Sequence, residues 1–239
     1  MKLDILDSIT IKEHFQRLGL NIDFVFGEFE SSQIYAKELN PLNDTIVISS
    51  RQAQGMGRKG RSFLSNEGGC YFSLIRANKN SFMVTMPLMS VAISQVLESI
   101  GCICEIKWPN DILVKGKKIS GILCDINNDK VIIGMGLNVY NDISSLSDIA
   151  TSLHREGFYE ITRSAIIAEI IRRYYELERA EHSLLFNEYQ NRLDIMDRAV
   201  HIMQNSKIIR GTVKQITQEG FLLLETPEGD KTIMSGEIL

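Results

Sequence analysis

The spacing of apolar positions changes repeatedly along the chain, and each change marks an element. Between Thr10 and Leu18, the residues Ile11, Phe15 and Leu18 recur at helical spacing, with Thr10 placed to cap the helix and Gly19 to end it. Continuous or alternating apolar runs predict strands over 24–29, 45–50, 70–76, 104–107, 112–114, 118–125 and 130–136. Helical periodicity returns over 32–39, 84–100 and one long charged stretch, 162–188. Strands and helices mix without a strict βαβ repeat, which predicts an α+β fold: a mixed β-sheet packed with helices.

From about Asp197 the pattern shortens. Strands are predicted over 199–203, 208–216, 220–225 and 231–234, separated by turn signals at Asn205-Ser206, Gln218-Glu219-Gly220 and Pro227-Glu228-Gly229. This reads as a small β-barrel of about 40 residues. The chain is therefore expected to divide into a larger domain over 1–193 and a small one over 194–239.

Composition narrows the function classes. With 239 residues and 44% hydrophobic content, the chain can bury a core without disulfide staples. Its net charge of −4, from 26 basic and 30 acidic residues, provides no global cationic field for nucleic acid. Only about 20 residues precede the first strand, fewer than the roughly 60 that a winged-helix module needs to bury its own core, so a DNA-reading domain is expected to be absent. Cys70, Cys102, Cys104 and Cys124 show no C-x-x-C spacing, and no apolar signal core follows Met1. These features predict a reduced, cytoplasmic protein. Cys102-Ile103-Cys104 alternates as a strand would, with both thiols on one buried face rather than forming a metal pair. The four histidines lack ligand spacing, and no run is long enough to span a membrane.

Chemistry concentrates in four segments. Gln52-Ala53-Gln54-Gly55-Met56-Gly57-Arg58-Lys59-Gly60-Arg61 follows a strand and carries three glycines and three cations in ten residues. Glycines let backbone N–H groups turn toward an anion, and guanidinium forks bind carboxylate or phosphate bidentately. The segment matches neither the G-x-x-x-x-G-K-[ST] nor the G-x-G-x-x-G context. Lys107-Trp108-Pro109-Asn110-Asp111 ends another strand in polar tips around the only Trp. The basic turn Lys115-Gly116-Lys117-Lys118 leads into Ile119-Ser120-Gly121-Ile122-Leu123, and Gly134-Met135-Gly136-Leu137-Asn138 supplies close backbone approach and an amide.

Together these segments resemble the biotin protein ligases. The family's GRGRxGR loop is similar to 55–61, its KWPND motif is intact at 107–111, its K-[IL]-[AS]-G-I-L strand matches 118–123, and its G-x-G-[IL]-N element matches 134–138, all in the family's order. Glu30-Ser31-Ser32-Gln33 looks like the D-S-T-N element, Ala150-Thr151-Ser152-Leu153 like ATSL, and Gly236-Glu237-Ile238 closes the barrel as in relatives. The resemblance implies a class II synthetase-like, biotin-lipoate ligase fold followed by an SH3-like barrel. It also implies ATP-dependent formation of biotinyl-5′-AMP and transfer of biotin to a lysine of a biotin carboxyl carrier protein. A lipoate or octanoate ligase of the same fold, or a non-catalytic biotin-binding regulator, remains as an alternative.

By resemblance, Lys118 and Arg58 are the catalytic pair, holding the biotin carboxylate and the α-phosphate. Biotin is expected against Ser31, Ser32, Gln33, Gln52, Gly55, Met56, Gly57, Arg58, Lys118, Gly121 and Gly136. ATP is expected against Arg58, Arg61, Trp108, Asn110, Asp111, Lys118 and Asn138, with Mg²⁺ at Asp111 and Arg61 on the leaving phosphates. The glycines of the loop are expected to let it move when empty and order over the intermediate.

Three departures from the family stand out. Met56 replaces an Arg, so closing of the loop is expected to be weaker or differently arranged. Ser32-Gln33 replaces Thr-Asn, lengthening the second side chain. Ile233 lies where some relatives place a Trp against adenine, which implies an aliphatic adenine cover. The chain is expected to act as a monomer or homodimer, with no nucleic acid and no membrane among its partners.

Overall fold

The computed structural model describes residues 4, 6–76, 82–127, 129–193, 195–217 and 220–239, without the side chains of 82 and 83. The turn read at Gln218-Glu219 lies outside the described residues.

Seven strands form the main sheet: β1 (Asp23–Phe29), β2 (Thr45–Gln52), β3 (Cys70–Arg76), β4 (Glu105–Lys107), β5 (Asp111–Val114), β6 (Lys117–Asn127) and β7 (Lys130–Leu137). Their order is β1-β2-β3-β7-β6-β5-β4; β1 and β2 run parallel and every other pair antiparallel. The sheet is mixed, as the absence of a βαβ repeat predicts.

Alternation sorts the two faces. Ile46, Ile48, Phe72 and Leu74 point into the main core under α1 (Ser8–Arg17), α3 (Phe82–Ser99), α4 (Arg163–Arg179) and α5 (His182–Asn191). Val47, Ile75 and Ile132 point the other way, against Ala36 of α2 (Ser32–Glu38). One face is thus roofed by four helices and the other by a single short one, which leaves room beside α2.

Three sequence expectations are corrected. The helix read over 162–188 is two helices, because Ala180 and Glu181 are extended (ψ 167° and 131°). The break turns α5 back so that Leu185 and Tyr189, four apart and both buried, join the core against α3. At the amino end Asp7 rather than Thr10 caps α1: its carboxylate accepts from Thr10 N at 2.8 Å, and the Thr10 hydroxyl accepts from Asp7 N at 3.3 Å. Residues 102–104 precede β4 rather than belonging to it, yet the alternation stands, with Cys102 buried, Ile103 exposed and Cys104 half-buried.

The carboxy-terminal segment forms a five-stranded antiparallel sheet, β11-β10-β9-β8-β12, from β8 (Ala199–Gln204), β9 (Lys207–Ile216), β10 (Leu222–Thr226), β11 (Gly229–Ile233) and β12 (Glu237–Ile238). Asn205 and Ser206 both take positive φ (47° and 62°) in the β8–β9 hairpin, the backbone of a tight two-residue turn. Trp108, from the main sheet, donates its indole N–H to Gly220 O at 3.1 Å and so ties the two sheets together. Among the described residues, no helix is long and apolar enough to cross a membrane.

Candidate active site

On the α2 face the floor of the sheet has been stripped of side chains. Gly121 on β6 pairs with Gly136 on β7, and Gly134 pairs with Ser73 on β3. A Cβ at Gly136 would lie 2.5 Å from the Phe63 ring, one at Gly134 2.5 Å from Gln33 Oε1, and one at Gly121 2.9 Å from Lys118 Nζ. At Gly136 a side chain would have to displace the Phe63 ring, and the space left over these glycines is a cavity of about 160 Å³.

A bulge brings the key lysine to this face. Ile112 pairs with Ser120 but Leu113 pairs with Lys118, so Ile119 is an extra residue on β6. In a regular strand Lys118 would share the face of Ser120, whose hydroxyl is buried against Gly136 O at 2.7 Å. The bulge turns Lys118 instead toward Asp111 and Gly121. Its ammonium ion pairs with Asp111 Oδ1 at 2.7 Å and stands 5.5 Å from the Phe63 ring centroid. Its backbone is fixed as well: Lys118 N donates to Ile149 O (3.0 Å) and Thr151 N donates to Lys118 O (2.9 Å).

The glycine- and cation-rich loop folds back as a hairpin. Gln52 bridges Ser65, Met56 bridges Ser62, and Phe63 N donates to Gly55 O at 2.8 Å. From this hairpin Arg58 donates to Asn110 Oδ1 at 3.2 Å, and Asn110 in turn donates to Ile122 O at 3.0 Å. Burial lowers the Arg58 pKa from its ordinary value, with the Asp111 charge opposing. Arg61 forms a bidentate pair with Glu237 of β12, at 3.0 and 2.9 Å, which holds the Glu237 carboxyl below the usual carboxylate range. The hairpin is thereby fastened to both other walls of the cavity.

At the buried end, α2 contributes its first turn. Ser31 caps the helix, Ser32 N donates to Gln52 Oε1 at 2.7 Å, and Gln52 donates to Ser65 Oγ at 2.9 Å. Ser32 Oγ lies 2.9 Å from Ser73 Oγ, Ser73 donates to Gln33 Oε1 at 2.8 Å, and Gln33 donates to Asp125 Oδ2 at 3.0 Å.

A second, larger opening of about 1300 Å³ adjoins the first. Both are lined by Gln52, Arg61, Ser62, Phe63, Lys107, Asp111 and Lys118, so Lys118 stands on the partition. The far side of the second opening is aliphatic, with Ile143, Leu146 and Ile149 beside Asn138. Asn138 is 4% exposed; it donates to Thr151 O at 3.0 Å and accepts from Asn141 at 3.0 Å.

Every residue assigned from the sequence to catalysis, biotin or ATP lines one of the two openings, Gly55 and Asn138 only the second. Trp108 reaches the first opening while almost wholly buried, its N–H spent on Gly220. Ile233 lines neither: it pairs with Leu222 and is 1% exposed inside the terminal sheet. The aliphatic wall comes instead from residues 143–149. Phe63, Ser73, Asp125 and Glu237 were not expected. Ser73 and Asp125 sit inside predicted strands, where nothing local shows that Ser73 lines the first opening and Asp125 stands behind it on Gln33, and Phe63 follows a loop whose fold the sequence does not state.

Known proteins give the same picture. Residues 26–138 match the Biotin/lipoate A/B protein ligase family, and 196–239 match the Biotin protein ligase C terminal domain. The bifunctional ligase/repressor BirA of Bacillus subtilis is 34% identical over 229 residues, covering 87% of this chain and 70% of that protein. The biotin–[acetyl-CoA-carboxylase] ligase of Mycobacterium tuberculosis is 25% identical, covering 83% and 79% respectively. The biotin protein ligase of Aquifex aeolicus in complex with biotin and ATP superposes with a TM-score of 0.79 at 28% identity, covering 91% of this chain and 97% of that one. The fold and site are those of an acyl-activating ligase of the biotin/lipoate class. Within that class, the chain belongs to the biotin protein ligase family.

Proposed function

We propose that the chain is an ATP-dependent biotin–[acetyl-CoA-carboxylase] ligase. It forms biotinyl-5′-AMP from biotin and MgATP, then transfers biotin to a specific lysine of a biotin carboxyl carrier protein. The observation that carries this reading is Lys118 on the partition between two openings, one small and glycine-floored, the other large with an aliphatic end. Biotin fits the first, with its ureido ring at the polar cluster of Ser31, Ser32, Gln33 and Gln52 and its carboxylate toward Lys118. ATP fits the second, with its adenine at the aliphatic end and Asn138 fastening that wall through Thr151 and Asn141.

Joining the two requires a carboxylate oxygen to attack the α-phosphorus while the bond to the bridging oxygen of the β-phosphate breaks and pyrophosphate leaves. Two anions must approach and negative charge must collect on the phosphoryl oxygens. Lys118 on the partition and Arg58 on the wall of the first opening are cations for that charge, preorganised by Asp111 and Asn110 rather than by solvent. Arg61 reaches the leaving phosphates by exchanging Glu237 for phosphate oxygens. Asp111, half-buried with one oxygen on Lys118, fits a cation held mainly by substrate phosphates. Mg²⁺ held there would neutralise phosphate charge. In the second half-reaction the carrier lysine amine attacks the acyl carbon, the acyl–oxygen bond to AMP breaks, and the amine gives up a proton.

The buried polar end favours biotin over lipoate. A cyclic urea has N–H donors and a carbonyl acceptor to match hydroxyls and amides, whereas a dithiolane has neither. Lys118 stands on the partition and Arg58 lines the first opening, which disfavours a purely regulatory binder. The division at 193/194 is supported by Leu193, whose last main-sheet contact is a bridge to Ile106, and by the strand change that begins at Ala199. A cytoplasmic setting is supported by the cysteines: all four are free, and burial pushes Cys104 and Cys124 up to about 12, so they are unreactive packing groups. The test is exchange of labelled pyrophosphate into ATP, which must require biotin and must not be supported by lipoate or octanoate. Exchange without biotin, or equally with lipoate, contradicts the reading.

A further inference from the structure

The polar cluster at the closed end of the small cavity contains groups that can each point either way, yet one residue behind the wall decides them all. We infer that Asp125, which does not line the cavity, sets the donor–acceptor polarity of the ureido pocket through Gln33 and Ser73, so that Ser32 presents an acceptor to the ligand. The inference rests on the reading of this cavity as the biotin site.

The polarity follows step by step from what each group can do. A carboxylate and a backbone carbonyl only accept, so Gln33 must turn its NH₂ toward Asp125 Oδ2 (3.0 Å) and Ile132 O (3.3 Å). Gln33 Oε1 then faces inward and accepts from Ser73 Oγ at 2.8 Å. Ser73 has one hydroxyl proton and has given it to Gln33. Its 2.9 Å contact with Ser32 Oγ therefore has Ser32 as the donor. With its own proton spent on Ser73, Ser32 offers only lone pairs to the cavity, which suits an N–H of a cyclic urea and repels an oxygen in the same place.

Three features keep the chain from reversing. Asp125 is also ion-paired with Lys37 at 2.9 Å, so a second donor holds the same carboxylate oxygen that Gln33 binds. Gly134 leaves just enough room for Gln33: a Cβ there would come within 2.5 Å of Gln33 Oε1. Ser32, Ser73 and Gln33 are all at least nine-tenths buried, so water does not compete for the intermediate steps. Gln33 thereby joins α2 to Asp125 of β6 and to the backbone of Ile132 on β7.

Asp125 is thus a positioning residue, and its signature is selectivity rather than rate. In Asp125→Asn the side chain can present either oxygen or NH₂ to Gln33, so the chain can invert and Ser32 can donate. Biotin-dependent pyrophosphate exchange in this variant is expected to show a KM for biotin raised roughly tenfold, the scale of one buried hydrogen bond left unmade, with kcat and the KM for ATP within about twofold. The decisive comparison uses an analogue in which a ureido N–H is replaced by a ring oxygen. Discrimination between biotin and this carbamate is expected to shrink at least fivefold in Asp125→Asn, and to shrink to the same extent in Ser73→Ala, with no further change in the double variant. Equal weakening of both ligands, or an additive double variant, means that Asp125 acts only on stability and overturns the inference. Absence of biotin-dependent exchange in the unsubstituted chain overturns the reading of the cavity itself.

Discussion

Lys118 Nζ lies 2.7 Å from Asp111 Oδ1 at the partition between the two openings, and a single extra residue, Ile119, puts it there. The two side chains leave neighbouring strands on the same face, so the ammonium is aimed before any ligand arrives. Lys118→Ala is expected to lower biotin-dependent pyrophosphate exchange a hundredfold or more, the roughly 3 kcal/mol that one preorganised donor supplies. A Lys118→Ala protein that folds and exchanges within fivefold of the unsubstituted chain contradicts the assignment.

Gly136→Ala adds a Cβ 2.5 Å from the Phe63 ring, whose own seat is an edge contact with Tyr71 at 6.4 Å. The ring must shift into the cavity. The expected outcome is a destabilisation of about 1–3 kcal/mol in chemical denaturation together with a KM for biotin raised more than the KM for ATP, since Phe63 touches both openings but Gly136 only the first. Weakening of ATP and not biotin would place biotin elsewhere.

Glu237 is ion-paired with Arg61 and, in the proposed mechanism, competes with phosphate for it. The pair is exposed, and such pairs are worth about 0.2–1 kcal/mol, so Glu237→Gln is expected to lower the KM for ATP by a factor between about 1.4 and 5. The pKa of Glu237 is depressed by Arg61, so the pair is complete above the ordinary carboxylate range and is lost only as pH falls through the depressed value. The effect of Glu237→Gln is therefore expected to be constant from about pH 6 to 9. A KM for ATP that rises in the variant shows that Glu237 supports ATP instead of competing with it.

Trp108→Phe keeps most of the buried ring and removes the N–H that binds Gly220 O. A loss of about 1–2 kcal/mol is expected, with faster limited proteolysis between the two sheets. Unchanged proteolysis would mean that Arg61–Glu237 and packing suffice to hold the terminal sheet.

The sequence reveals what depends on local rules and conceals what depends on pairing. The strand over 70–76 coincides with β3, and the loop of 52–61 is visible because glycine and arginine have few other reasons to cluster. The break at Ala180–Glu181 is hidden, since neither residue is a helix breaker and only the docking of Leu185 and Tyr189 makes the turn favourable. Ile233 aligns with a family aromatic, but its strand register points it into the core. Asp125 reads as an ordinary polar residue in a strand until β6 and β7 are set side by side with α2. Likewise, Glu237 meets Arg61 across 176 positions of sequence, a contact that no spacing rule reaches.

The most direct test of the central claim is the mass of a biotin carboxyl carrier domain incubated with the purified chain, biotin and MgATP. The account predicts a single biotin-sized gain on one lysine, absent with lipoate or octanoate and strongly reduced with Lys118→Ala. A carrier that stays unmodified while the same carrier is labelled by an authentic biotin protein ligase, or that gains a lipoyl group as readily as biotin, would contradict it.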